Sequence, residues 1–260
     1  MSALNFSLPV GLPVFGQAVG ANTLLTGTTQ ADVKLGAFRA TAVNTGTNVI
    51  QPDALLTSFT IAGNSTFCSN GASFPAAAMS FLAQSKDELI DVTIAAGTSV
   101  QMGFTGGVVA GVGYDIGASI QTDPIEAGDL APGAAPGDTE LQDLALLYPL
   151  GGVAVGGVAG VTVQLNALCN RTTRLGKLFL IPDTGSYCSV TSILVGGVEM
   201  LSQSNTVGIP IAHFAPNSTM QAEWMDIDTV ITPGEQVQIS VLQGNAVAGN
   251  VFGGIYCLPV

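Results

Sequence analysis

The chain carries one ordered series of short sequence patterns twice, once in each half. Four pairs of segments correspond. Residues 55–63 and 190–197 are apolar runs that end in Gly, and 74–77 and 209–212 each have an apolar residue before Pro. Residues 90–94 and 227–231 begin with Ile-Asp, and 97–101 and 234–238 begin with Gly in a turn. Their separation changes only from 134 residues, between Gly63 and Gly197, to 138 residues, between Val109 and Val247. A retained order at a nearly constant offset of one domain length predicts two copies of one fold.

Alternation of apolar and polar residues with a period of two runs through both halves. Residues 161–165 and 237–241 alternate in this way, and Gly-, Pro-, Asn- and Asp-containing turns separate such runs. This pattern is typical of half-buried strands in a sandwich or barrel. Two segments, 75–84 and 139–148, instead favour short helices. We therefore predict an all-β chain made of two tandem, homologous antiparallel β-sandwich domains.

Composition divides the chain into four segments. The first 31 residues carry no charged side chain, whereas residues 115–143 hold seven acidic residues, no basic residue and several prolines. Acidic stretches rich in Pro and Gly are typical of loops and linkers. The predicted organisation is an uncharged N-terminal arm over 1–31, a first sandwich over 32–120, an acidic linker or loop over 121–143, and a second sandwich over 144–260.

The chain has an unusually low proportion of charged residues. Charged residues make up 9% of the chain, against about 25% in ordinary soluble domains. Such a surface is either covered by other subunits or is the neutral face of a Gly- and Thr-rich extracellular β protein. With a net charge of −12 and six Lys and Arg residues, direct nucleic-acid binding is not expected, because phosphate contacts need clustered cations.

One stretch is long and apolar enough to be compared with a membrane helix. Residues 144–163 carry no charge, but Pro149 and five glycines interrupt them. Valines alternate with small residues along the stretch, which favours a strand, a turn and a second strand. No secretory signal is recognised at the N-terminus, because a basic region and a compact apolar core are both missing there.

Two neighbouring carboxylates are the best candidates for a metal site. Asp226 and Asp228 lie on one face of a predicted strand, with Glu223 nearby. They could bind a divalent cation if another loop supplied ligands. Asp228 matches Asp91 in the repeat, and a polar residue repeated at one position more often makes a structural hydrogen bond. We predict no bound metal and no cofactor, and keep these three carboxylates as candidates.

Other chemistry-bearing residues form no recognisable motif. The four cysteines contain no Cys-x-x-Cys pair, and free buried thiols are expected, although a bridge between Cys169 and Cys188 is geometrically possible. His213 is the single histidine and is interpreted as a packed or interface residue. No nucleophile elbow or phosphate-binding loop is present, so we predict that the protein is not an enzyme.

The repeat itself carries a resemblance to a known family. Each half places Thr-Ser, at residues 57–58 and 191–192, in an apolar strand that ends in Gly, and a proline follows at Pro75 and at Pro210. Two such sandwiches of about 130 residues, joined by a long loop, resemble the double jelly-roll major capsid proteins of icosahedral viruses.

That resemblance implies a fold and a role. Each domain would be a jelly roll of eight strands in two sheets, and three chains would form a pseudo-hexameric capsomer within a virion. The uncharged faces would be trimer contacts. The arm over 1–31 would reach a neighbouring subunit or an internal membrane, and other virion proteins would be further partners. Removing the arm is then expected to leave a folded chain that no longer assembles.

Two other kinds of protein remain as alternatives. A cell-encoded subunit of an extracellular filament or surface layer would use the N-terminal arm to donate a strand to a neighbour's sheet edge. A tandem β-sandwich binding module, for example for carbohydrate, would need exposed aromatic residues, and the chain has only one Trp and four Tyr.

Overall fold

A computed structural model describes most of the chain, in two compact units. The described residues are 6–18, 20–45, 54–79, 92–106, 113–125, 144–182, 187–201, 208–215, 226–258 and 260. Unit 1 consists of Met1–Thr66 and Met79–Leu144, and unit 2 consists of Phe67–Ala78 and Ala145–Val260.

Unit 1 is built from two antiparallel sheets. Numbered along the whole chain, its strands are β1 (Phe6–Pro9), β2 (Val14–Gln17), β3 (Asn22–Thr28), β4 (Val33–Asn44), β5 (Leu55–Ile61), β6 (Asn64–Ser65), β8 (Val92–Ile94), β9 (Ser99–Thr105) and β10 (Tyr114–Pro124). One sheet has the order β1-β10-β4-β8, with β2 also paired to β10, and the other has the order β3-β9-β5-β6.

Unit 2 repeats this arrangement. Its elements are β7 (Phe74–Pro75), α1 (Ala76–Met79, whose last residue belongs to unit 1), β11 (Leu147–Gly156), β12 (Thr162–Leu168), β13 (Thr173–Pro182), β14 (Cys188–Val195), β15 (Val198–Glu199), β16 (Ile209–Pro210), a 3₁₀ helix (Ile211–Phe214), β17 (Asp226–Ile231), β18 (Gln236–Gln243) and β19 (Ala248–Leu258). The sheets have the orders β11-β19-β13-β17 and β12-β18-β14-β15, with β16 also paired to β14.

The two units share one strand order. Strands are counted along the chain within each unit, with β1 and β2 together as the first strand and with the two-residue strands β7 and β16 left out. In each unit, one sheet then has the first, eighth, third and sixth strands as neighbours, in that order. The other sheet pairs strands second, seventh, fourth and fifth. Eight antiparallel strands in two such sheets form a jelly roll. The prediction of an all-β chain with two homologous, jelly-roll-like sandwiches is therefore confirmed.

The repeated sequence patterns fall on equivalent elements. Residues 55–63 form β5 and its following turn, and 190–197 form part of β14 and its turn; 97–101 and 234–238 lead into β9 and β18. Asp91, predicted to correspond to Asp228, lies outside the described residues.

The alternating pattern builds the cores. In β18, Val237, Ile239 and Val241 are completely buried while the residues between them are partly exposed. In unit 1, Phe38 of β4 and Phe59 of β5 pack with ring centroids 5.2 Å apart. Because these two strands belong to different sheets, the ring pair lies between the sheets of the sandwich.

The predictions for three short segments have different outcomes. Residues 144–163 contain β11, a turn and the start of β12, as predicted. In the described part of the chain, no helix has the length and apolar character needed to cross a membrane. Within the predicted helix over 75–84, Pro75 belongs to β7 and Ala76–Met79 is helical, while 80–84 lie outside the described residues. Leu147 and Tyr148 begin β11 instead of ending a helix over 139–148, of which 139–143 also lie outside the described residues. Residues 147–156 form a strand instead of a helix because they pair with β19, and in this position the Leu147 and Tyr148 side chains are buried.

Strands occur within the segment predicted as an arm and at the start of the predicted linker, of which residues 126–143 lie outside the described residues. Strands β1, β2 and β3 come from the arm segment, where Val10 and Leu25 are buried. Residues 121–124, the start of the predicted linker, continue β10. An arm is predicted because this segment carries no charged residue, but an uncharged segment can also form strands. In the structure, its strands pair with β9 and β10.

A segment from the first half of the sequence packs within unit 2. This segment, called the strap here, is Phe67–Ala78. Phe67 bridges to Leu147 and Ser69 to Cys169, and the Ser69 hydroxyl donates to the Pro149 carbonyl at 2.5 Å. Strand β11 is the edge strand of its sheet. The strap lies along this edge and forms hydrogen bonds with backbone groups that have no partner within the sheet. The predicted boundaries assign this segment to the first sandwich instead.

The strap is anchored by a ring over a glycine. Phe74 is completely buried and contacts Tyr256 at a centroid distance of 5.2 Å. A Cβ at Gly254 would overlap the Phe74 ring, whereas a Cβ at Gly156 would meet nothing. We expect Gly254→Ala to destabilise the protein by about 1–3 kcal/mol, because a packed ring must move. Denaturant unfolding should show no such loss for Gly156→Ala, and equal effects of the two substitutions would contradict this packing.

Candidate assembly surface

The carboxylate candidates lie on β17, and one of them is engaged by a cation. Asp226 and Asp228 are exposed, while Glu223 lies outside the described residues. The Asp228 Oδ1 atom accepts from Arg174 Nε at 2.6 Å and lies 2.6 Å from Arg174 Nη2. The backbone of Asp228 is left-handed, with a φ of 47°, which Asp tolerates better than most residues. Asp228 therefore has a structural contact already.

The structure brings no metal cluster together in the part of the chain that it describes. No group of three or more His, Cys, Asp or Glu side chains there could hold a metal ion. The hypothesis of a site built from Asp226, Asp228 and Glu223 stays a prediction. His213 is half-buried in the 3₁₀ helix beside the buried Phe214. The four cysteines all lie within the described residues and form no disulfide there, Cys169 and Cys188 included.

Three loops at one end of unit 2 expose apolar side chains. They are the β11–β12 turn, the residue before β14 and the β18–β19 turn. Four apolar side chains on these loops are between 43% and 57% exposed. We call these four residues the apolar loop end: Val158, Val161, Tyr187 and Val247. Segments 157–161 and 243–247, which form two of these loops, carry no charged residue.

Glycines and backbone hydrogen bonds shape the β11–β12 turn. Gly157 and Gly160 have φ angles of 75° and 86°, a conformation that other residues rarely adopt. The Gly160 amide donates to the Gln243 carbonyl at 2.7 Å, and the Gln243 amide donates to the Val161 carbonyl at 2.9 Å. The turn is thereby fastened to the end of β18.

The side chain of Gln243 ties the same loops together. It is buried, and its Nε2 atom donates to the Val247 carbonyl at 2.7 Å. Its Oε1 atom accepts from the Val158 amide at 3.2 Å. An amide side chain can donate and accept at once, and a buried one is costly unless both roles are used. Gln243 therefore stabilises two loops that each present an exposed valine.

Tyr187, the residue before β14, is held by the β18–β19 turn. Its carbonyl accepts from the Gly244 amide at 2.7 Å, and its amide donates to Asn245 Oδ1 at 3.1 Å. A Cβ at Gly244 would lie 2.5 Å from Tyr187 Cδ1, so the ring rests on this glycine. The four residues of the apolar loop end are thus uncharged, include one aromatic residue and lie on backbone held by hydrogen bonds, and exposed apolar residues of this kind are common at protein interfaces.

A second apolar surface belongs to the N-terminal strands of unit 1. Leu12, Phe15 and Leu24 are 85%, 74% and 61% exposed. Asp115 of β10 fixes the strand that carries Phe15, because its Oδ1 atom accepts from the Gly16 amide at 2.9 Å and from the Thr45 hydroxyl at 2.7 Å. The hydrogen bond from the Gly16 amide is the main cause that lowers the pKa of the Asp115 carboxyl, and the bond from the Thr45 hydroxyl lowers this pKa further.

The sequence identifies the elements of the apolar loop end only in part. Residues 243–245 are typical turn formers, which favours an exposed side chain at Gln243, whereas this side chain is buried. Its partners are Val158, 85 residues away, and Val247. A Gln at the last apolar position of an alternating strand is the one local signal for a buried amide.

Both units have the strand order of a jelly roll, so the described chain contains two jelly rolls in tandem.

Comparisons with known proteins add one structural similarity. No family model and no curated protein matches the chain. A solved structure described as "Crystal Structure of the STIV MCP", where MCP stands for major capsid protein, is similar over 98% of this chain and 96% of that chain. The TM-score between the two is 0.41, and their sequences are 12% identical.

Gln243→Ala tests how the apolar loop end is held. We expect a loss of about 1–3 kcal/mol, because the Val158 amide and the Val247 carbonyl lose a buried partner. Amide hydrogen exchange should accelerate at Val158. Gln236→Ala, which removes an exposed Gln from the same strand, should change stability by less than about 0.5 kcal/mol. Unchanged exchange at Val158 in Gln243→Ala would contradict the role given to this side chain.

A calcium titration tests the carboxylate candidates. We expect no shift in the thermal midpoint on adding Ca²⁺, because Arg174 already neutralises Asp228 and a cation would have to displace it. A Ca²⁺-dependent rise that is present in the native chain and lost in Asp228→Asn would establish a metal site on β17. Arg174→Ala is the control that frees the carboxylate, and its own cost should stay below about 1 kcal/mol because the ion pair is exposed.

Proposed function

We propose that the chain is the structural subunit of a viral capsid, located in the virion, and that three copies form a pseudo-hexameric capsomer. The observation that carries this proposal is the same eight-strand order occurring twice in one chain. Jelly rolls are a recurrent fold of capsid subunits. Catalysis is not part of the proposed role.

The duplication suits a shell made of one protein. Three chains with two similar sandwiches each would present six similar bodies around a three-fold axis. Such a ring has a nearly six-fold outline, which packs into a continuous layer while the symmetry of the oligomer stays closed. A single sandwich per chain would need six copies for the same outline.

The surfaces suit repeated contact between copies. The apolar loop end and the exposed Leu12, Phe15 and Leu24 are apolar surfaces of the kind that mark protein contacts. The low proportion of charged residues removes much of the desolvation cost of covering a wide area. Partners would be further copies of the chain and other virion proteins, with an internal membrane as a further contact of segment 1–31 and no direct contact with nucleic acid.

Sedimentation and negative-stain electron microscopy of the purified chain test this proposal. We expect trimers with a hexagonal outline, or closed shells built from them. Filaments would support the alternative of an extracellular filament or surface-layer subunit with N-terminal strand donation. A monomer at high concentration would contradict both and would favour a binding module.

A pair of variants locates the contact surface. Val158→Lys places a charge in the apolar loop end, and Val230→Lys places one at a similarly exposed valine of β17. Both should fold, because both side chains are exposed. We expect assembly to be weakened at least tenfold in Val158→Lys alone, and equal assembly of the two variants would exclude the apolar loop end from the interface.

A further inference from the structure

Two thiols that are far apart in sequence meet in unit 2. Cys68 of the strap and Cys257 of β19 are separated by 189 residues, and their Sγ atoms lie 3.0 Å apart. This is closer than two sulfur atoms approach in ordinary packing. A disulfide has its sulfurs about 2.05 Å apart, so a movement of about 1 Å would bring the pair to bonding distance.

The backbone holds both cysteines in place beside β11. The Cys68 amide donates to the Leu147 carbonyl at 2.9 Å, and the Cys257 amide donates to the Leu146 carbonyl, also at 2.9 Å. Cys257 also faces Leu175 of β13 in the sheet register. Because both residues are anchored to neighbouring carbonyls, the contact of their sulfurs follows from the fold of unit 2.

The third nearby thiol is oriented elsewhere. Cys169 follows β12, and its Sγ atom donates to the Arg171 carbonyl at 2.8 Å. Cys188, at the start of β14, is buried. The sulfur atoms of Cys68 and Cys257 are in direct contact.

We propose that Cys68 and Cys257 are the site of an intramolecular disulfide, formed by reaction with a small-molecule disulfide oxidant. This inference does not depend on the proposed function. It assigns the strap a second role, as the segment that can be fastened covalently to the C-terminal strand of unit 2.

The reaction proceeds by two thiol–disulfide exchanges. One cysteine thiolate attacks a sulfur of the small disulfide, whose S–S bond breaks and releases one small thiolate. The second cysteine thiolate then attacks the mixed disulfide at the protein sulfur and releases the other small thiolate. Two protein thiols are oxidised to one disulfide, the oxidant is reduced to two thiols, and the two cysteine protons end on them.

Burial decides which cysteine reacts first. Cys257 is partly exposed, whereas Cys68 has no accessible surface. The oxidant therefore meets Cys257, and Cys68 resolves the mixed disulfide from inside the unit.

The environment of Cys68 sets the pace of the second step. Burial, together with the adjacent Cys257 thiol, raises the pKa of Cys68 well above its usual value, and Thr173 and Arg171 oppose this rise only in part. A small thiolate fraction at neutral pH means slow resolution. The rate of disulfide formation should therefore increase as the pH is raised from about 7 to about 9.

The bond would close a very long loop. It would join residues 68 and 257 and so restrict the unfolded chain over most of its length, which is how disulfides stabilise in the chain-entropy model. The oxidised protein should unfold at a midpoint roughly 5–10 °C above that of the reduced protein.

Mapping of the native chain tests the proposal without any substitution. The protein is incubated with oxidised glutathione at about pH 8, its remaining thiols are alkylated in denaturant, and it is cleaved after glutamate. Complete cleavage yields fragments 1–88 and 236–260 with one cysteine each, and fragment 141–199 with Cys169 and Cys188. We expect 1–88 to be joined to 236–260, with a mass about 2 Da below the sum of the free fragments because two hydrogens are lost, and to be separated by dithiothreitol.

Variants provide the matched controls. Cys257→Ser should abolish the joined fragments and the rise in thermal midpoint, whereas Cys188→Ser should retain both. Unlinked fragments 1–88 and 236–260 after oxidation of the native chain would overturn the proposal. A link from either of them to fragment 141–199 would overturn it as well, because it would show that another pair of thiols reacts.

Discussion

Much of unit 2 depends on where its last strand lies. Strand β19 pairs with β11 on one side and with β13 on the other, so the end of the chain occupies the middle of a sheet. Its residues Val251, Ile255 and Tyr256 are buried in the core. Because the hydrogen bonds of a central strand are made on both edges, the register of β19 also fixes the positions of its neighbours. In unit 1, β10 lies in the same way between β1 and β4.

The register of β19 places three local features. Gly254 comes to lie under the Phe74 ring of the strap. Cys257 comes within 3.0 Å of Cys68. At the other end, the turn before Ala248 meets the β11–β12 turn through Gln243. One pairing thus positions the strap, the thiol pair and the apolar loop end.

The proposed function rests on exposed surfaces of the described residues. Exposed valines and a tyrosine rest on loops whose amides and carbonyls are satisfied by one another and by Gln243. A surface held in this way loses little conformational freedom when it is covered, and little charge must be desolvated, so contact between copies costs less. This is the physical basis on which the proposed assembly function rests.

The strand content and the duplication can be predicted from the sequence, because both are recognised from short segments whose pattern lies within a few residues. Alternation in 237–241 predicts the buried face of β18, and the repeated segments 55–63 and 190–197 fall on equivalent strands. The folded structure was needed to show that part of segment 1–31 belongs to the sheets of unit 1 and that the strap belongs to unit 2. It also decided that Gln243 is buried and that Cys68 meets Cys257. These outcomes depend on pairing between residues that are up to 189 positions apart, and no pattern within a strand carries information about its distant partner.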